Sequence, residues 1–299
     1  MAVVALVAGL LFAFSGCRPA TSPSGTPDGS GGATRSVVAT TSVLADLVRN
    51  VGGSRVTVGS MIPPGVGPED YEPRPVDARL LASATLIVSN GVGLDDFLDR
   101  MLTGGGEDAA RLVLGRDIPS IDVAGRPNPH FWLDPTLVAQ YYVPRIRDAL
   151  TALDPAGAAD YAAAATEYLG RIATLDQDLL AAVAALPAPA RKLVSFHDAF
   201  PYLARHFGFE LVGVIVQNVG QEPTASELAR LVDVVRAAKV KAVFSEAQFN
   251  PALAETLAGE AGIEHVVSDL YTDALGPAPA DSYLGLMRWD IDRIVEALR

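Results

Sequence analysis

The 299 residues are enough for about two domains, and a composition of 49% hydrophobic and 19% charged residues excludes a wholly disordered chain. The 23 Lys and Arg residues are outnumbered by 35 Asp and Glu residues, and the resulting formal charge of −12 argues against a protein that binds nucleic acid through its phosphates. The single cysteine, Cys17, excludes an internal disulfide framework and a zinc site of four thiolates.

The chain opens with an apolar segment, Ala2–Phe14, that carries no charge. The segment is too short to span a membrane comfortably and is typical of a secretory signal. It ends in the letters F-S-G-C, which resemble a lipobox, so residues 1–17 are predicted to be a lipoprotein signal peptide with Cys17 as the lipidated residue. An ordinary signal peptide with an incidental cysteine is the alternative. Residues 18–35 are rich in Ser, Thr, Gly and Pro and are predicted to form a flexible tether.

Two series of alternating strands and helices follow. In residues 36–153 a β-branched run at Val37–Thr40 precedes a helical pattern at Val43–Val51, which Thr41 or Ser42 can cap. In residues 188–299 a second series starts with a strand at 192–196. This rhythm predicts an α/β protein with two lobes, each a mainly parallel sheet flanked by helices.

A long helical pattern at residues 154–187 separates the two series. Asp154 can cap it and Pro155 suits a first helical turn. Apolar residues then recur at spacings of three, four and seven, and one helix of about 30 residues would be roughly 45 Å long. Two shorter helices bent at Gly170 are the alternative, but we favour one backbone helix joining the lobes.

Ionisable residues stand in loops that follow predicted strands, where α/β sheets bind their ligands. Glu69 and Asp70 lie in a loop rich in Pro and Gly, and His130 lies between prolines and aromatic residues. His197 directly follows a strand, and Asp273 follows the last one. Two imidazoles and two carboxylates suit a divalent ion such as Zn²⁺ or Mn²⁺.

Several segments together resemble the zinc and manganese receptors of ABC importers, the cluster A-I (cluster 9) solute-binding proteins. Residues 68–75 resemble the family's D-P-H-x-Y-E-P-x-P segment, and residues 128–134 resemble its N-P-H-x-W-L-D segment. The stretch SFHDAFPYLARHFG at 195–208 resembles the helix start that carries the third ligand. The resemblance covers residues 36–299 and implies two α/β lobes joined by one long helix.

The resemblance carries the family's metal ligands onto four positions of this chain. His130, His197 and Asp273 match the second, third and fourth ligands. Glu69 stands where the family usually has His, and as an oxygen ligand it is kept in the set. Asp70 could bind instead, or three protein ligands and a water could suffice. Glu246, at a strand exit, either orients a histidine ring or caps a helix.

The resemblance implies a non-catalytic lipoprotein outside the cytoplasm, at the cell surface or in the periplasm. It would bind one divalent transition metal, Mn²⁺ or Zn²⁺, as cargo between its lobes and deliver it to an ABC permease. We expect a monomer that is held at the membrane by the lipid on Cys17. The alternatives are a mononuclear metallohydrolase, in which Glu69 would serve as a base, and a receptor for a chelated metal or another small ligand.

Overall fold

The computed structural model describes residues 35–69, 71–102, 108–123, 125–217 and 219–299. The signal peptide with Cys17, the tether up to residue 34, and Asp70 lie outside these ranges, and what was predicted for them stays a prediction. Arg35, which was assigned to the tether, is the first residue of a strand. Within the described ranges, no helix combines the length and the apolar character that crossing a membrane requires.

The first lobe is built on a four-stranded parallel sheet in the order β2-β1-β3-β4. Its strands are β1 (Arg35–Ala39), β2 (Val56–Ser60), β3 (Leu86–Ser89) and β4 (Ala110–Val113). Its helices are α1 (Ser42–Gly52), α2 (Pro75–Ala82) and α3 (Phe97–Leu102). The Thr41 hydroxyl caps α1 by accepting from Leu44 N at 3.3 Å, which decides between the two caps, Thr41 and Ser42, that the sequence left open.

A connecting stretch leads from this sheet to the second lobe. It contains an antiparallel pair, β5 (Asp122–Val123) and β6 (Arg126–Pro127), and a 3₁₀ turn, Phe131–Leu133. A helical run follows, made of α4 (Pro135–Leu137), a π-helical turn (Val138–Tyr142) and α5 (Val143–Leu153).

Helix α6 (Ala158–Ala184) is continuous over 27 residues, so the alternative of two helices bent at Gly170 is wrong. Its start was also predicted wrongly, because Pro155–Gly157 form a separate 3₁₀ turn. Instead of capping a helix, the Asp154 carboxylate accepts from Arg55 Nε at 2.9 Å and from the Tyr161 hydroxyl at 3.0 Å.

Helix α6 packs against helices of both lobes: α1 and α5 from the first, and a helix near the C-terminus from the second. Its buried face is lined at helical spacing by Tyr161, Ala165, Tyr168, Ile172, Leu175, Leu179 and Val183.

The second lobe repeats the plan with a parallel sheet in the order β10-β9-β7-β8. Its strands are β7 (Lys192–His197), β8 (Glu210–Val216), β9 (Ala242–Glu246) and β10 (His265–Leu270). Its helices are α7 (Pro201–Phe207), α8 (Ala225–Ala238), α9 (Ala252–Ala261) and α10 (Tyr283–Leu298), the last of which is the helix that meets α6. The predicted two-lobed α/β fold is confirmed.

Buried hydrogen bonds cross the boundary between the two lobes. The Trp132 indole Nε1 donates to Thr272 O at 2.6 Å, and the Tyr283 hydroxyl donates to Trp132 O at 2.9 Å. Leu275 N donates to the Ser42 hydroxyl oxygen at 2.9 Å. Because each bond links residues more than 100 positions apart, the lobes meet along a specific, ordered interface.

Candidate metal centre

Loops at the carboxyl ends of strands carry three of the four predicted ligands. Glu69 lies in the loop between β2 and α2, His197 is the last residue of β7, and Asp273 follows β10. His130 follows β6, a strand of the short antiparallel pair, and not a strand of either four-stranded sheet. The four residues come from both lobes and meet between them.

The side chains of these residues form one compact group. Ligand atoms of Glu69, His130 and His197 all lie within 4.8 Å of one another. The two oxygens of Asp273 face the two imidazoles, with 3.3 Å from Oδ1 to His130 Nε2 and 3.3 Å from Oδ2 to His197 Nε2. Oε1 of Glu69 lies 3.7 Å from His130 Nε2.

Three of the four side chains at the centre are buried, and the fourth is partly exposed. The side chains of His130, His197 and Asp273 are at most 2% exposed, whereas that of Glu69 is 27% exposed. A cavity of about 560 Å³ is lined by Glu69, by both histidines and by Arg126. A small ion can therefore reach the histidines through this cavity.

Hydrogen bonds to Nδ1 orient both imidazole rings. The carboxylate of Glu246 lies 2.7 Å from His197 Nδ1, and the amide oxygen of Asn128 lies 3.0 Å from His130 Nδ1. Both Nε2 atoms are buried and meet no partner with hydrogen-bond geometry among the described residues. The rings therefore turn Nε2 toward Asp273, as histidine ligands do when a neighbour holds the other ring nitrogen.

The charges of neighbouring side chains and burial shift the pKa values of the residues at this centre. Burial alone would lower the pKa of His197, but the carboxylates of Glu246 and Asp273 outweigh it and raise that pKa well above its ordinary value. Burial opposes ionisation of Asp273, but the two imidazoles hold the pKa of its carboxyl well below the usual range. Burial raises the pKa of Glu69 and of Glu246. In the metal-free protein, the imidazole of His197 therefore holds its second proton to higher pH than a free imidazole does.

The spacing of the donor atoms suits a divalent transition metal. Donors about 2.1 Å from a tetrahedral ion stand roughly 3.4 Å from one another. The two Asp273–imidazole distances of 3.3 Å and the Glu69–His130 distance of 3.7 Å fall near that value. Imidazole nitrogen and carboxylate oxygen are ligands that Zn²⁺ and Mn²⁺ accept.

The structure thus brings together Glu69, His130, His197 and Asp273. Glu246 Oε1 lies 2.7 Å from His197 Nδ1, a contact that agrees with the first of the two roles left open by the sequence, the orientation of a histidine ring. No role was predicted from the sequence for Gln248, whose Nε2 donates to Asp273 Oδ2 at 3.1 Å, or for Asn128, although both lie in segments that resemble the family. The signal for Asn128 was its position two residues before His130, the spacing at which an Asn side chain reaches the local backbone.

An α/β protein of two lobes, with imidazoles and carboxylates gathered at the boundary, belongs structurally to the class of two-lobed metal-binding proteins. The chain belongs to the ZnuA family, "Zinc-uptake complex component A periplasmic", whose model matches residues 37–297.

Individual proteins agree with this assignment. The chain is 31% identical over 265 residues to the manganese-binding lipoprotein MntA of Halalkalibacterium halodurans, covering 88% of each protein. A Mn-bound periplasmic metal-binding protein from Candidatus Liberibacter asiaticus superposes with a TM-score of 0.80 at 28% identity, covering 89% of this chain and all of that one. The periplasmic zinc-binding protein TroA from Treponema pallidum gives a TM-score of 0.82 at 26% identity, covering 89% and 99%.

Proposed function

We propose that this protein captures one divalent transition metal, Mn²⁺ or Zn²⁺, between its lobes and delivers it to the permease of an ABC importer. The observation that carries the proposal is the pair of buried imidazole Nε2 atoms, which both face Asp273 and have no hydrogen-bond partner among the residues that the structure describes. Membership of a family of metal-uptake components supports the same conclusion, as do relatives named for manganese and zinc.

The proposed ligands are Glu69 and His130 from the first lobe and His197 and Asp273 from the second. Glu69 and Asp273 together carry two negative charges, which balance a divalent ion. Asp70, next to Glu69 in the chain, is the alternative acid ligand. Of the two candidate cargoes, Zn²⁺ is expected to bind a site of nitrogen and oxygen donors more tightly, so in the cell metal availability decides between them.

Four protein ligands leave a tetrahedral ion without the open position that a catalytic metal needs, so we propose a binding protein that performs no reaction. Glu69 Oε1 lies among the ligand atoms, 3.7 Å from His130 Nε2, where it serves better as a ligand than as a base acting on a more distant water.

The proposed organisation follows the chain. Residues 35–153 form the first lobe, 154–187 the link that contains α6, and 188–299 the second lobe. Residues 1–17 direct export, and a lipid on Cys17 holds a monomer outside the cytoplasm by the tether 18–34. A metal bound by ligands from both lobes favours one arrangement of the lobes, and the permease distinguishes that arrangement from the metal-free one. Because α6 packs on helices of both lobes, we expect the rearrangement to be small.

Metal content tests the proposal. The protein is purified without chelator, and its Mn and Zn are measured by mass spectrometry after loading with either ion. We expect one ion per chain, lost in His130→Ala and His197→Ala and retained in His265→Ala, which removes an exposed imidazole on β10. Comparing Glu69→Gln with Asp70→Asn identifies the acid ligand. Equal metal content in His130→Ala and His265→Ala would refute the proposed centre.

A further inference from the structure

Asn128 contacts both of the loops that carry histidine ligands. Its side chain is buried between the two lobes, in the segment that leads from β6 to His130. The amide Oδ1 lies 3.1 Å from His130 N and 3.0 Å from His130 Nδ1. The amide Nδ2 donates across the lobe boundary to Asp198 O at 2.7 Å. Asp198 is the residue after His197, so one amide group links the ring of His130 to the backbone next to His197.

The backbone fixes which way this amide points. A backbone N–H can only donate, so the amide atom facing His130 N is the oxygen. A backbone C=O can only accept, so the amide atom facing Asp198 O is the nitrogen. The oxygen then faces His130 Nδ1, and that ring nitrogen carries the proton. The lone pair of His130 is left on Nε2, the atom that faces Asp273 at 3.3 Å.

The main chain of Asn128 is held just as firmly. Its N–H donates to Ile121 O at 2.8 Å, and its C=O accepts from the Tyr202 hydroxyl at 2.9 Å. The same hydroxyl accepts from Ile121 N at 2.9 Å. Because Tyr202 lies on α7 in the second lobe, Asn128 is attached to that lobe by its backbone and by its side chain, and its side chain makes the hydrogen bond to the His130 ring.

Resting on the proposed function, we propose that Asn128 is a positioning residue that sets the tautomer of His130 and ties its ring to the His197 loop. Its partner is a neutral amide, whereas the ring of His197 is held by the carboxylate of Glu246. Hydrogen bonds to charged groups are stronger than those between neutral groups, so the His130 ring is the more easily displaced of the two. A separation of the lobes stretches the Asn128–Asp198 bond and turns the His130 ring away, which releases the metal from the His130 side first.

Two variants of Asn128 separate its two roles. Asn128→Ala removes both, whereas Asn128→Asp keeps an oxygen for His130 Nδ1–H but has no donor for Asp198 O. Tyr202→Phe is the matched control, because it removes a buried cross-lobe hydrogen bond to the same residue without touching the His130 ring. The imidazole tautomers of the metal-free proteins are read by ¹⁵N NMR, and Zn²⁺ affinity and dissociation rate are measured against a chromophoric chelator.

In Asn128→Ala we expect His130 to lose its single Nδ1–H tautomer and Zn²⁺ affinity to fall about 10- to 100-fold, with the ¹⁵N signals of the His197 ring unchanged. In Asn128→Asp we expect the His130 tautomer to persist while Zn²⁺ dissociates faster. The added negative charge by itself would slow dissociation, so the faster rate identifies the lost link to Asp198. Tyr202→Phe should preserve the tautomer and most of the affinity.

An unchanged His130 tautomer in Asn128→Ala, or a loss of affinity no larger than that of Tyr202→Phe, overturns the role of Asn128. If the wild-type chain takes up neither Zn²⁺ nor Mn²⁺, the proposed function itself fails. The tautomer measurement separates these cases because it is made on the metal-free protein.

Discussion

Replacing Glu246 by Gln tests how the charge next to His197 controls metal affinity. The carboxylate is fully buried and lies 2.7 Å from His197 Nδ1, and Gln keeps an oxygen at that place while removing the charge. A hydrogen bond to a charged group contributes roughly 1 to 1.5 kcal/mol more than one between neutral groups. The imidazole should therefore become a weaker donor, and metal affinity should fall about tenfold when no proton competes.

The loss of metal affinity in Glu246→Gln depends on pH, and the pKa of His197 determines whether the loss grows or shrinks as pH rises. That pKa is raised well above its ordinary value, so near neutral pH the wild-type ring holds a proton that the metal has to displace. Glu246→Gln lowers the pKa and weakens this competition. The affinity ratio of wild type to variant is thus small near neutral pH and grows toward about tenfold as pH rises above the wild-type pKa.

Chelator-buffered Zn²⁺ titrations across this pH range measure the ratio. Glu255→Gln is the control, because it removes an exposed carboxylate on α9. A ratio that falls as pH rises, or one that stays constant, would refute the reasoning.

Three further predictions concern stability. Leu179→Ala, at a fully buried position of α6, should lower the free energy of unfolding by about 3 kcal/mol, whereas Leu180→Ala, at a 37% exposed position, should change it little in chemical denaturation. The Arg55 hydrogen bond lowers the pKa of Asp154, so its stabilisation is present above the unfolded pKa of about 3.9 and is lost as pH falls through the lower folded pKa. Urea midpoints of wild type and Arg55→Met should accordingly differ near neutral pH and converge in strong acid; divergence in acid would contradict the assignment. Zn²⁺ at about 100 times its Kd should raise the free energy of unfolding by about 2.7 kcal/mol in wild type but not in His130→Ala, and an equal rise in both would place the ion elsewhere.

Most helices and strands could be predicted because their signals, such as apolar spacing and capping residues, lie within the element itself. The apolar spacing from Tyr161 to Val183 was sufficient to predict α6, and Thr41 was one of the two residues predicted to cap α1. The exact start of α6 could not be foreseen, because Arg55 engages Asp154 from 99 residues away. The pair β5–β6 was missed because two strands of two residues each give no periodic signal.

In the candidate site, too, some residues could be predicted from the sequence and others could not. His130, His197 and Asp273 could be proposed because ionisable residues near strand ends are chemically conspicuous, and the family resemblance then selected among them. The roles of Asn128 and Glu246 depend on contacts between segments far apart in the chain: Glu246 lies 49 residues from His197, and Asn128 lies 70 residues from Asp198. Such contacts are fixed by the packing of the lobes, so no local sequence pattern could supply them.

Anomalous X-ray diffraction from crystals loaded with Mn²⁺ tests the central claim most directly. We predict one strong peak at bonding distance from Nε2 of His130 and of His197, with oxygens of Asp273 and Glu69 completing the coordination. A peak elsewhere, for example beside His206 where Asp134 and Asp176 face the ring, would contradict the account, as would crystals that bind no Mn²⁺ at the centre.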